Sequence, residues 1–273
     1  MRRLLIVLAC LAATGCAVGT STARPDGAVR APAEVVGEVL RLSGTREATR
    51  SFEGALRRVV TALAGGETFR DPQVIAPIVE SAITAPRILG GVTAHFEEHF
   101  DRDRFDRIVV TLRQPLAQRM TALEVASSTV PPEAIAAWKS QFAVTADGRL
   151  RYALARRLDA ATGATEATMG ILYAAGRGAL RAVAGRADAP APDALRAAMA
   201  KLEPEAREET VDALAYAYRE ASILEITQYA ESLETELGRW FSRLLSDAAA
   251  RVAESLSEAT IRKVMEARRA PRV

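Results

Sequence analysis

Residues 234–266, ETELGRWFSRLLSDAAARVAESLSEATIRKVME, decide the fold class. Apolar side chains fall at Leu237, Trp240, Phe241, Leu244, Leu245, Ala248, Val252, Leu256 and Ile261. Steps of three, four and one keep a single face of a 3.6-residue helix apolar over many turns, with charge on the opposite face. Upstream segments repeat the pattern in shorter pieces. Val36, Val39, Leu40 and Leu42 form a stripe that Gly44 ends, and Ala48, Phe52, Ala55, Leu56, Val59, Val60 and Leu63 carry it on to Gly65-Gly66. Asp71-Pro72 reads as a cap followed by a first-turn proline, with Pro77 bending or shortening the helix after it. Further helices are predicted from Pro86 to about Phe100, through Phe105–Leu112, and through Leu116–Val125 after Pro115. Pro131-Pro132 open a short helix through Trp138, and a turn at Asp147-Gly148 precedes Leu150, Leu154 and Leu158. A helix follows Gly163 to about Val183, residues 185–192 (GRADAPAP) form a loop, and Pro204 starts a helix through Tyr218. No stretch alternates as a strand does, so the expected class is all-α, a helical bundle.

The N-terminus carries an address. Met1-Arg2-Arg3 is basic, Leu4 to Ala13 is almost unbroken apolar sequence, and Thr14-Gly15-Cys16 closes it. A charged start, about ten apolar residues and small residues before a cut site mark a secretory signal, too short for a bilayer span of about twenty residues. Cys16 directly after Ala13-Thr14-Gly15 resembles the lipobox of bacterial lipoproteins. The resemblance implies cleavage after residue 15 and acylation of Cys16, with several kcal/mol of membrane affinity from the chains at about 0.8 kcal/mol per buried methylene. Ala13 stands where that class usually has Leu, which leaves an ordinary signal peptide as the alternative; Cys10 would leave too short an apolar core. Ala17 after the Cys implies, by the same resemblance, a lipoprotein of the outer membrane facing the periplasm. The expected organisation is a signal peptide over 1–15, an acylated Cys and flexible tether over 16–32, helical unit 1 over 33–128, a connector over 129–146, helical unit 2 over 147–262, and a tail over 263–273.

Composition agrees with an exported helical domain. The chain has two Cys; the signal removes one and acylation takes the other, so no disulfide is available and the core alone must hold the fold. Loss of Arg2 and Arg3 takes 36 basic residues to 34, equal to the 34 acidic ones. A neutral chain with interspersed signs argues against nucleic acid as a partner.

The halves echo each other. Gly44-Thr45-Arg46-Glu47-Ala48-Thr49 and Gly163-Ala164-Thr165-Glu166-Ala167-Thr168 agree at Gly, Glu, Ala and Thr, 119 positions apart. The same offset sets Phe105 opposite Leu224, and one residue more sets Arg119 opposite Arg239 and Met120 opposite Trp240. Two copies of one helical unit are the expectation. In the first half, 111–120 reads TLRQPLAQRM; in the second, 228–240 reads QYAESLETELGRW. Both resemble degenerate forms of the aromatic-x-Ser-Pro-x-Gly-x-Lys segment of an exported bacterial family, domain of unknown function 2059. The resemblance spans most of residues 33–262 and implies an exported α-helical protein; it transfers no catalytic residue.

One constellation could carry chemistry. His95-Phe96-Glu97-Glu98-His99 fits H-x-x-E-H, the inverted zinc-peptidase pattern, and holds the only two histidines of the chain. One helical turn apart, His95 and His99 can share a zinc ion with Glu98 as base beside a bound water. A third ligand is needed; Asp101, Asp103 and Asp106 are nearby in sequence. At the repeat offset the two histidines face Leu214 and Tyr218, which points instead to a packed helix face. Arg102, Arg104 and Arg107 interleave with the acids as a solvated, salt-laced face. Gly170, Gly176 and Gly178 sit in an apolar helix and suit close packing, Ser127, Ser128 and Ser140 have no recognisable histidine arrangement, and Trp138, Trp240 and Phe241 read as core anchors. The expected function is therefore a non-enzymatic envelope lipoprotein without cofactor. Its helical domain would bind an envelope protein or ligand, or serve structurally, tethered to a membrane by acyl chains. The alternative is a zinc-dependent hydrolase built on His95, Glu98 and His99.

Overall fold

The computed structural model describes residues 30–65, 72–184 and 192–269. The signal segment, Cys16 and nearly all the tether lie outside the described residues, as do Gly66, Asp71 and most of the 185–192 loop. The described chain is all-α, with twelve helices and no strand among the described residues: α1 (Pro32–Leu42), α2 (Thr45–Ala64), α3 (Pro72–Ala82), α4 (Ala85–Glu98), α5 (Arg102–Leu112), α6 (Pro115–Ser127), α7 (Pro132–Phe142), α8 (Ala146–Thr162), α9 (Ala164–Ala182), α10 (Pro192–Ala217), α11 (Ile223–Leu233) and α12 (Glu236–Arg269).

Local chemistry sets the breaks. Gly44 and Gly163, which end α1 and α8, adopt φ of 70° and 65°, the left-handed region that favours glycine. Asp101 and Ser222 start α5 and α11 by accepting hydrogen bonds from the N–H groups of Arg104 and Glu225. Three boundaries differ from the sequence-based expectation. Asp147 and Gly148 lie in the first turn of α8 rather than in a turn before it, because the Thr145 hydroxyl caps the Gly148 N–H at 2.9 Å. Pro204 lies inside α10 instead of starting a helix. Ala200, whose carbonyl Pro204 cannot bond, is on the exposed side, where water can replace the missing donor. The closing helix runs to Arg269, through part of the segment expected to be a tail.

The halves match in burial as well as in order. At the 119-residue offset, buried Val35, Val36, Val39, Leu40 and Leu42 of α1 coincide with buried Leu154, Ala155, Leu158, Asp159 and Ala161 of α8. At an offset of 121, buried Phe105, Ile108, Val109, Thr111 and Leu112 of α5 coincide with Ile226, Tyr229, Ala230, Ser232 and Leu233 of α11. The change of offset comes from the connector 218–222, two residues longer than 99–101. With that shift the burial patterns align Phe105 with buried Ile226 rather than with exposed Leu224, and Met120 with buried Phe241 rather than with half-buried Trp240.

Two large cores result among the described residues, beside two small clusters, and each large core takes the last helix of the opposite half. The first joins α1 to α5 with α12 and with Ile171 and Ala175 of α9; the second joins α8, α10 and α11 with Met120 of α6. Phe241 of α12 is fully buried, its ring edge-on to Phe96 of α4 at 6.2 Å. Burying a side chain of this size contributes roughly 1.5–3 kcal/mol. Helices α9 and α12 pack closely at Gly178, where a Cβ would lie 2.2 Å from the Glu254 carbonyl oxygen. Gly176 abuts Leu195, whereas Gly170 faces open space and is not a packing glycine. Among the described residues no single helix is long and apolar enough to cross a membrane.

Candidate functional site

The His-Glu-His cluster assembles. His95 and Glu98 lie in the last turns of α4, and His99 is its C-cap residue. The imidazole rings sit 4.2 Å apart, and the ligand atoms of His95, Glu98 and His99 all lie within 4.8 Å of one another. His95 is buried and His99 exposed. Burial first, then the neighbouring His99 and Arg251, holds the His95 imidazole below its ordinary pKa. Glu98, the residue expected as base, is ion-paired with Arg251 of α12. The acids considered as a third ligand are used elsewhere in part: Asp101 caps α5 and Asp106 pairs with Arg30. Neither these two nor Asp103 belongs to the cluster.

A larger site was not marked by any motif. Helices α7, α8 and α10 enclose an open cleft of about 820 Å³. Ala143, Ala160, Pro204, Val211 and the ring of Tyr152 supply apolar wall, and the remaining lining is charged: Lys139, Arg149, Arg156 and Arg207 with Asp159, Glu208 and Asp212. Lys139 enters from α7 and is held by Glu208 at 2.7 Å and Asp212 at 2.8 Å. Arg207 enters from α10 and is held by Glu166 and Glu203, with the buried Asp159 carboxylate of the cleft lining 3.5 Å away. Arg149 and Arg156, two turns apart on one face of α8, complete the rim. Arg149 donates only to the Val144 carbonyl, at 2.8 Å, and Arg156 has no carboxylate partner among the described residues. The buried Tyr152 hydroxyl lies within the influence of the Asp212 carboxylate. Burial and the Asp212 charge hold this phenol well above its ordinary range, so it stays protonated. Trp138 stacks on Phe142 at 5.0 Å and meets Tyr216 edge-on at 5.6 Å, bracing the α7 wall. Trp138 and Trp240 are half-buried, unlike Phe241, so the three are not equivalent core anchors.

A buried acid joins the halves. Glu124 of α6 is 2% exposed, and its Oε1 accepts hydrogen bonds from the Tyr218 hydroxyl and, at 2.9 Å, from the Tyr229 hydroxyl. Its Oε2 and the Thr121 hydroxyl are buried without hydrogen-bond partners among the described residues. Burial pushes the carboxyl up to about 7, against the two tyrosine bonds. The corresponding position in α12 is Leu245, so this acid breaks the match between the halves.

Comparison with protein-family models, curated proteins and solved structures found no match to this chain.

Proposed function

We propose that the protein is a non-enzymatic binding lipoprotein of the bacterial envelope, whose helical domain holds a small amphiphilic anion in the α7–α8–α10 cleft. The observation that carries this reading is a cleft with apolar wall segments and, at its rim, Arg149 and Arg156, two cations without carboxylate partners among the described residues. Ligand sites are concave and mostly apolar, commonly ~300–1,000 Å³, with a few polar groups that fix orientation. Arginine forks suit a carboxylate or phosphate head, and the apolar wall suits a short hydrocarbon body. Kinship with domain of unknown function 2059, acylation of Cys16 and an outer-membrane location facing the periplasm rest on the sequence features alone. The matched burial pattern supports descent of the two halves from one duplicated unit.

Two experiments test the reading. Replacing Cys16 by Ser is expected to release the protein from membranes; undiminished membrane partitioning would refute the anchor. Thermal-shift titration with decyl phosphate is expected to stabilise the wild type and to leave an Arg149→Ala/Arg156→Ala variant unshifted. An equal shift in both proteins would refute the cleft as the site.

A further inference from the structure

The geometry points to a divalent transition-metal site at His95, Glu98 and His99, in which Arg251 holds the metal's place until a cation displaces it.

Three features converge on one point. The Arg251 Nη1 lies 3.5 Å from His95 Nδ1 and donates to Glu98 Oε2, so two potential ligand atoms are aimed at a single cationic nitrogen. A guanidinium has no acceptor, so the His95 nitrogen facing it presents a lone pair rather than a proton. His99 Nδ1 lies 2.9 Å from the His95 carbonyl oxygen, so that nitrogen donates and Nε2 carries the free lone pair. Imidazole bonded through its second nitrogen to a backbone carbonyl is the usual arrangement of a metal-ligating histidine. Two imidazole nitrogens and a carboxylate oxygen suit zinc or a neighbouring first-row ion.

The surroundings allow exchange. Arg251 is 60% exposed and anchored only at its tip, so it can swing into solvent. His95 stays fixed, buried on α4, and lines a hollow of about 280 Å³ with Gly91, Arg251 and Ser255. The charged and titratable groups facing His95 are His99, Arg251, Asp247 and Glu98, and Arg87 also lines the hollow, so with the Arg251 guanidinium withdrawn the two carboxylates outnumber the one remaining arginine. With Glu98 as a ligand, its carboxylate is not free to act as the base, which separates this site from the peptidase reading. The inference is independent of the cleft on α8.

The test is isothermal titration of the untagged protein with Zn²⁺ after chelator treatment. One equivalent is expected to bind saturably, and a His95→Ala/His99→Ala variant with an unchanged circular-dichroism melt is expected to lose that binding. Arg251→Ala is expected to bind about three- to fivefold more tightly, since a surface ion pair with Glu98 no longer competes. Absence of saturable binding, or equal binding after loss of both histidines, would overturn the site. Unchanged affinity in Arg251→Ala would overturn the displacement.

Discussion

Glu124→Gln should stabilise the protein at alkaline pH and leave it nearly unchanged in mild acid. Glutamine keeps an oxygen to accept from Tyr218 and Tyr229 but cannot ionise. In the folded chain the Glu124 carboxyl titrates at about 7, against an ordinary value of 4.5. Below pH 4.5 the group is neutral in both folded and unfolded chains and contributes no pH dependence. Between these values the unfolded chain releases a proton that the folded chain keeps, so stability falls as pH rises. Above about 7 both forms are ionised, and the full cost of burying the charge is present. A tenfold change in proton affinity on folding is worth about 1.4 kcal/mol, so the penalty is about 3 kcal/mol, of which roughly 2–3 kcal/mol develops between pH 5 and pH 8. Urea denaturation of wild type and variant at half-unit pH steps would measure it. The expected result is a difference in unfolding free energy that opens with pH in favour of Gln. Parallel curves across that range would refute the assignment of a raised carboxyl to Glu124.

Phe241→Ala should destabilise by ~3–5 kcal/mol, the range for a buried aromatic cut to a methyl, and Trp240→Ala by distinctly less because Trp240 is only half-buried; chemical denaturation of both variants checks the order. Residues 33–128 expressed alone should not give a cooperative monomer, because the α1–α5 core lacks α12. Adding residues 129–273 should restore a cooperative complex, measured by circular-dichroism melting and sedimentation; a cooperative melt of monomeric 33–128 by itself would show that the exchanged helix is dispensable.

Helix class and most helix starts were legible because proline, glycine and carboxylate caps act locally. Gly44, Gly163, Asp101 and Pro132 each do in the structure what their chemistry predicts. Pro204 misled because an exposed carbonyl at Ala200 can be solvated, which local propensity does not register. The burial patterns align Phe105 with Ile226 rather than Leu224 because a two-residue difference between connectors moves the register without changing composition. The histidine cluster was readable from i, i+4 spacing on one helix, whereas its partner Arg251 lies 152 residues beyond His99 and left no local sign. The cleft is less legible still. Arg149 and Arg156 look like ordinary solvated helix charges, and only the packing of α7 and α10 around α8 sets them at the mouth of a partly apolar cavity. Glu124 resembles any surface glutamate in sequence; its burial follows from α6 crossing to the opposite half, a long-range contact without a periodic signature.

The central claim is an anion-selective cleft at Arg149 and Arg156, and one comparison of headgroups tests it most directly. The wild-type protein is titrated calorimetrically with decyl phosphate and with decyltrimethylammonium, two probes with the same tail and opposite charge. Saturable one-to-one binding of the phosphate alone is the expected result. Equal binding of both probes, or of neither, would contradict the claim.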